Sequence, residues 1–548
     1  MGRQEIIELM NHYQLDTALE KLQVTNYLDT FDGKMLSLLI FVLQEKWVKV
    51  HDELERIGKT INSQTRKVDL LKFSLISTFL GKEDVETCEH YFNEVPIEEK
   101  KEMYEWEGWY HIAKGNHLKT KHHDFEAARL EFLQALGIAE KYEEAFCLVT
   151  AKQNTAGIYY YKSEFEKYIS ELNKLLNYTK KIGHKTLMRI VLHQISENAL
   201  SIGELNQAYE TANSELKVCE EEGFIFPKIG IFSILSDVYR GKRQLDDALT
   251  MINRALDAIN EIFDESRLDT LPKYPGLHHS MESIYLKRGA IYLERGEFAQ
   301  SIKAFKRSNE ILYSSEKSKG WKLWANQNRS YQLLAIIKAC TRLGEFEQAR
   351  EILKNLEELN KEEDYPAIDI RLNLAKGIIL AQSDRMRDRV AAIDIFKKIL
   401  INNKEPLEEL SLTLYLLSDL LLDEVRLFNS SGAFDEVMDL IQQFEEIVSQ
   451  HKNPKYHVEL LLLETKLALI NEEFEKIEGL LDQAFGLIKN RGYDYLETRI
   501  KQEQEKFKRE YAKWKKLHDQ NVSMRDRITK AEIQNYIKLA IGYKEELE

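Results

Sequence analysis

From Cys88 the same pattern returns at Ala128, Tyr168, Ala208 and Ala248, and every step is 40 residues. Around each mark stand apolar residues at helical spacing. Phe125, Phe132 and Ala135 flank Ala128; Phe165, Leu172 and Leu175 flank Tyr168. Separations of three, four and seven place such residues on one face of a helix. Unrelated amphipathic helices would drift in phase, and these do not. The marks continue at Ser301, Ala349, Ala392, Val437 and Ile477, at steps of 53, 48, 43, 45 and 40, and run back more weakly through Val50 to Ala18. A unit of roughly 40 residues repeated along most of a chain is the signature of a solenoid.

A second feature precedes the marks. Twelve residues earlier lies a small residue (Ala156, Ser196, Ser236, Gly289), and nine earlier an aromatic or small one (Tyr159, Ala199, Tyr239, Tyr292). Ile337 and Cys340 depart from this pattern. Each unit therefore reads as a helix, a tight turn and a second helix, with small residues where the axes approach and aromatics filling the gaps beside them. The turns IGEL (202–205), RGEF (295–298) and LGEF (343–346) supply a glycine that can end the first helix. With only 7 prolines and 24 glycines for 548 residues, the chain suits long helices on short loops better than strands. The expected class is all-α, an array of antiparallel helix pairs.

The segment GAIYLERGEFAQSIKAFKRS (289–308) resembles the tetratricopeptide repeat, with Gly289, Tyr292, Phe298, Ser301, Phe305 and Ser308 in the characteristic places. The longer unit is similar to the extended repeats of MalT-type regulators and kinesin light chains. The resemblance is good over about residues 80–490 and poor before them. It implies a right-handed superhelical solenoid whose inner groove binds a protein or peptide. In resembling families the first helix of each unit lines that groove, beside its small position. Here those residues are Gln153, Tyr160, His193, Glu197, Asp237, Arg240, Lys338 and Arg342. Glu197 and Asp237 would oppose an incoming carboxylate, which argues against a clamp for acidic C-termini.

Three places break the rhythm, and they define the expected layout: divergent helical repeats in 1–80, a solenoid in 81–490, and capping helices in 491–548. The first break is FDESRLDTLPKYPGLHH (263–279), where Pro272, Pro275 and Gly276 predict a loop. The second prolongs a helix backward over 318–331. Tyr274, Trp321 and Trp324 are the candidate partner contacts there, set against a tolerated insertion and plain packing. The third is TRIKQEQEKFKREYAKWKKLHD (498–519), one charged helix with Phe507, Tyr511 and Trp514 on a stripe that caps the last repeat. Thr529 and Glu532 then predict a capping box for a short last helix.

The net charge of −14 opposes nucleic-acid binding. Four dispersed cysteines without a CxxC pair read as reduced thiols, and the N-terminus carries no signal-peptide pattern, so a cytoplasmic protein is expected. The most apolar run, 35–43, is half of a membrane span. No catalytic constellation stands out. GKT at 58–60 lacks the glycine of a phosphate loop, since residue 53 is Glu, and a helical pattern precedes it. His111, His117, His122 and His123 lack helical ligand spacing, so neither metal nor cofactor is expected. The function expected is a non-catalytic interaction scaffold. The alternative is a ligand- or peptide-responsive sensor that acts on a separate effector.

Overall fold

In the computed structural model the described residues are 3–540, apart from 12, 81–83, 97, 100–103, 163, 265–269, 272, 314–321, 363–364, 402–406, 429 and 450. Among them every regular element is helical. The pairs are α1 (Arg3–Asn11) with α2 (Leu15–Val24), α3 (Phe31–Leu43) with α4 (Trp47–Gly58), α5 (Lys67–Phe79) with α6 (Val85–Glu94), and α7 (Tyr104–Lys121) with α8 (Phe125–Tyr142). Then follow α9 (Ala145–Tyr161) with α10 (Phe165–Ile182), α11 (Lys185–Ser201) with α12 (Leu205–Glu222), α13 (Phe226–Gly241) with α14 (Leu245–Ile262), and α15 (Pro275–Glu294) with α16 (Phe298–Tyr313). The last pairs are α17 (Lys322–Leu343) with α18 (Phe346–Glu362), α19 (Pro366–Ala381) with α20 (Met386–Ile401), α21 (Leu407–Phe428) with α22 (Ser431–Ser449), and α23 (Lys455–Ile470) with α24 (Phe474–Ile488). Three further helices follow among the described residues: α25 (Asp494–Asp519), α26 (Met524–Lys530) and α27 (Ile533–Ala540).

The repeat marks are the second-helix anchors of these pairs. Each of the twelve, from Ala18 in α2 to Ile477 in α24, is buried. Outside α20 and α22 the mark is the fourth residue of its helix. Ala18 and Val50, the weaker marks in sequence, are buried as completely as the rest. The small residues earlier in each unit explain why. A Cβ on Gly289 would lie 2.8 Å from the Phe305 ring, and Ser301 Oγ donates to Gly289 O at 2.8 Å. Ser236 Oγ of α13 makes the reverse bond, donating to Ala248 O of α14 at 3.0 Å. The helices thus approach at the small residue and lock through the hydroxyl. The turn between them closes on Gly296, at φ +74°, while Glu297 N–H reaches Tyr292 O at 2.9 Å. This is the pairing that the tetratricopeptide resemblance implies, and the fold is an all-α helical solenoid.

The chain divides into two compact units. Unit 1 is Met1–Asn198, Glu210–Phe232 and Ala255–His279. In it Trp106 and Tyr110 of α7 pack into a core with Val68, Leu71 and Leu75 of α5 and Cys88 of α6. Unit 2 is Ala199–Tyr209, Ser233–Arg254 and Ser280–Glu548. In it α17 packs on α19 and α19 on α21, α24 carries α25, and α26 and α27 both lie against α21 and α23. Residues near 205 and near 490 also meet within unit 2. Asn206 N–H donates to Arg491 O at 3.2 Å, and Arg491 Nε pairs with Glu204 Oε1 at 3.2 Å. Gly203 sits so close to Pro454 and Tyr493 that a Cβ would lie 2.6 and 2.8 Å from them.

Two local expectations need correction. The predicted loop 263–279 ends sooner, because Pro275 opens α15 and Gly276 lies inside that helix; proline suits a first helical position, where its missing N–H has no intrahelical role. Phe263 and Leu271 anchor the segment by burial. The capping box of Thr529 and Glu532 does not form. Thr529 lies within α26 and donates to Arg525 O at 3.2 Å, while Glu532 is left-handed at φ +53°. Trp321 and the start of the prolonged helix, 318–321, lie outside the described residues, as does the Trp324 side chain. Phe507 and Trp514 of α25 are buried, and the Tyr511 ring meets Phe474 of α24 edge-on at 5.9 Å.

Candidate functional site: a tyrosine-lined cavity in unit 2

Unit 2 encloses a cavity of about 1030 Å³, at the upper end of the usual range for ligand sites. Its walls are mainly first helices, each presenting one stripe at helical spacing. α17 contributes Tyr331, Leu334, Lys338 and Arg342. α21 contributes Glu408, Ser411 and Tyr415; α23 contributes Lys455, Tyr456, Glu459 and Lys466. α25 adds Tyr495, Arg499, Glu503 and Lys506, and Tyr536 of α27 completes the wall. The end of α13 brings Asp237 and Arg240, facing Glu294 of α15.

Most of the charges are matched. Arg240 Nε meets Glu294 Oε1 at 2.5 Å, with Arg243 at 3.6 Å from the same carboxylate. Asp237 is held by Lys287 at 2.5 Å, Glu503 by Lys466 at 2.5 Å and Glu532 by Lys506 at 2.6 Å. Burial pushes the Glu294 carboxyl up, but Arg240 and Lys455 outweigh it and hold it low. Glu294 in turn keeps Arg240 charged.

Three cations remain, and with them two carboxylates, Glu408 and Glu459. Among the described residues Lys338, Lys455 and Arg499 make no ion pair, although Arg499 lies over the Tyr536 ring at 4.4 Å. Burial lowers the Lys338 pKa, against the attraction of Glu408. The phenols around them stay protonated. The charge of Glu408, then burial, raises Tyr331; burial raises Tyr415, Tyr493, Tyr495 and Tyr536, and takes Tyr456 to about 12. Glu408 draws on Lys338, and Glu459 raises Lys455 against burial; the hydroxyl donors and the excess of three such cations over two carboxylates suit an anionic or acceptor-rich occupant.

Of the residues expected at a groove, the structure brings Asp237, Arg240, Lys338 and Arg342 together in this cavity. The other four lie in unit 1. Gln153 is buried at 6% exposure in α9. Tyr160 is 37% exposed and meets Phe165 and Tyr168 edge-on. His193 belongs to a buried network: its Nδ1 is 3.1 Å from Glu215, whose other oxygen accepts from Arg189 at 3.0 Å, and Arg189 also reaches Glu45 at 2.8 Å. Burial pulls His193 down, yet Glu215 and Glu197 raise it to about 10. Tyr274 donates to Asp52 at 3.0 Å within the same unit. The contributions of α21, α23 and α25 were not anticipated. The stripe Tyr495, Arg499, Lys506 on α25 was the available signal, at spacings of four and seven.

Unit 2 also buries a carboxyl outside the cavity. Glu282 of α15 is fully buried, receives Gln332 Nε2 of α17 at 2.7 Å, and lies 3.3 Å from Ser308 Oγ of α16. Burial raises it to about 7 against these hydrogen bonds. Unit 1 holds a smaller, more apolar cavity of about 580 Å³ beside Phe79, Trp106, Trp109 and Phe146. Among the described residues no cluster of His, Cys, Asp and Glu could hold a metal, and no helix is long and apolar enough to cross a membrane.

No family model matches the chain, and no curated protein matches it. Among solved structures it is similar to NprR in complex with its cognate peptide NprX, at 17% identity, TM-score 0.38, covering 69% of this chain and 97% of that one. It is also similar to the apo form of the quorum sensor NprR from B. thuringiensis, at 15% identity, TM-score 0.40, covering 76% and 99%. A third is the APC/C hetero-tetramer Cut9–Hcn1, at 13% identity, TM-score 0.29, covering 91% and 96%. At these TM-scores the likenesses carry no argument about function, which rests on the chain's own residues.

Proposed function

We propose that this chain is a non-catalytic scaffold that binds a protein or peptide partner in the unit 2 cavity. One observation carries the reading: Lys338, Lys455 and Arg499 line a tyrosine-walled space of about 1030 Å³ without an ion pair among the described residues. Against these three cations stand only two carboxylates of the wall outside ion pairs, Glu408 and Glu459, and an acidic segment of a partner would balance the excess. Asp237, expected from the sequence to oppose an acidic segment, is occupied by Lys287.

The test is affinity capture with the full chain and with Lys338→Glu and Tyr456→Ala, followed by binding measurements on the recovered partner. The partner should bind at least tenfold more weakly to Lys338→Glu and lose affinity as salt rises. A partner held equally by all three proteins would remove the cavity from consideration. A second reading, a ligand-responsive sensor acting on a separate effector, is favoured by the spread of the walls from α13 to α27. An occupant touching elements so far apart in sequence could bias the packing of all of them. A small molecule co-purifying in place of a protein would select it.

A further inference from the structure

Two stripes run along α7 and meet different neighbours. One is pressed on α8, where Gly115 leaves no room for a Cβ beside the Phe132 ring. The other, Trp106, Trp109, Ala113, Asn116 and Thr120 at steps of three, four, three and four, lines the unit 1 cavity of about 580 Å³. α3, α5 and α9 add Leu39, Phe79 and Phe146 to the wall. The rings adjoin one another. Phe79 meets Trp109 edge-on at 6.1 Å, and Trp109 meets Phe146 at 4.8 Å. Yet Phe79 is 54% exposed, and Trp109 and Phe146 are only half-buried. Aromatic faces left so around a cavity are contact area available to a ligand.

The polar groups of the wall fall into two kinds. The ionisable ones are engaged: Lys121 Nζ donates to Glu86 at 2.8 Å, His117 lies 3.5 Å from the same carboxylate, and Asp84 accepts from the Thr87 hydroxyl at 3.0 Å. Asn116 is not. Its half-buried side-chain amide makes no hydrogen bond among the described residues, and neither does the indole N–H of Trp106, deeper in the wall. Engaged charges give an ion little to hold, whereas a neutral amide beside aromatic rings suits a neutral acceptor. The volume lies within the usual range of small-molecule sites.

We propose that unit 1 binds an uncharged, planar aromatic small molecule in this cavity, packed among Phe79, Trp109 and Phe146, with a carbonyl-type acceptor held by the Asn116 amide. The site differs in residues and in chemistry from the cation-rich cavity of unit 2, and it stands whether or not that cavity binds a partner.

The experiment uses the full chain and prodan, a neutral naphthyl ketone whose emission moves to the blue in an apolar site. Uptake should be saturable and show that shift. Ala113→Phe places a ring in the cavity and should weaken uptake about tenfold, with an unchanged helical circular dichroism signal. Asn116→Leu should weaken prodan about fivefold, the scale of one hydrogen bond, and leave binding of the same naphthalene without its ketone unchanged. Lys338→Glu in unit 2 should leave prodan uptake unchanged. Should Ala113→Phe fail to fold, photo-crosslinking of the wild-type chain with a naphthyl diazirine decides. The label should fall on α5, α7 or α9, and prodan should compete it away better than a naphthalene sulfonate does. The proposal is overturned by unsaturable uptake, by full uptake in folded Ala113→Phe, or by equal loss of both naphthalenes in Asn116→Leu. Loss of uptake in Lys338→Glu, a label outside those helices, or a sulfonate that competes better than prodan overturns it as well.

Discussion

Arg240 Nε lies 2.5 Å from Glu294 Oε1 inside the unit 2 cavity, and this pair withdraws one cation from the wall while Lys338, two helices along in the same wall, makes no ion pair among the described residues. The two cations should therefore respond oppositely to removal. Arg240→Ala strands a largely enclosed carboxylate and is expected to cost about 2 kcal/mol, on the scale of a charge-assisted hydrogen bond. Lys338→Met removes a desolvated ammonium and keeps its stem, so the melting temperature should stay equal or rise. Thermal melts of the two variants check the contrast. A large loss in Lys338→Met would show that its charge is structural.

The contact of Gly289 with Phe305 sets a second expectation. Alanine is the better helix former, by about 1 kcal/mol. Yet its Cβ would stand 2.8 Å from the ring, and overpacking costs roughly 1–3 kcal/mol. Gly289→Ala should be destabilised, and adding Phe305→Leu should recover part of the loss. Denaturant melts of the double-mutant cycle measure this coupling.

The buried Glu282 carboxyl makes unit 2 sensitive to pH. Its folded pKa of about 7 lies above the ordinary value of 4.5, so the folded state binds the proton more tightly. Stability from this group is greatest below about pH 4.5 and falls as pH rises through 7. Glu464, also raised to about 7 by burial, acts in the same window. Glu282→Gln should flatten the slope without abolishing it, and stabilise the chain at pH 8 by on the order of 2 kcal/mol. An unchanged slope between pH 5 and 8 would contradict the assignment.

His193 has the same sign over a higher window. Its folded pKa of about 10 exceeds the unfolded value, so its stabilisation is complete below about pH 6.5 and is lost as pH rises through 10. Its ring signals should show imidazolium at pH 8 by nuclear magnetic resonance. Glu215→Gln should lower the titration, because burial is then opposed by Glu197 alone, and should destabilise unit 1 by about 2 kcal/mol through the lost pairing of Arg189, which keeps Glu45.

The repeat was legible because its physics is local. The second helix of a pair needs a residue like Ala208 or Ser301 at one fixed position, so burial writes a period into the chain. Asp237, Arg240, Lys338 and Arg342 were found the same way, by counting from the small position of each unit. The remaining walls were not. That Tyr495 and Arg499 share a cavity with Lys338 depends on how successive pairs are angled, which no spacing within one helix records. Thr529 and Glu532 misled because a capping pattern is permissive, and the backbone at Glu532 turned left-handed instead.

The meeting of Gly203 and Asn206 with Pro454, Arg491 and Tyr493 has a consequence for how unit 2 can change over time. In an open array each module touches only its neighbours, so evolution or an engineer can splice one in or out. Here the seam joins modules separated by about half the chain, and its register depends on every module between them. Duplicating or deleting a single 40-residue module would pull the seam apart. Unit 2 should therefore melt in one transition rather than fray from an end, and its lineage should vary by substitution and loop length with the module count held constant.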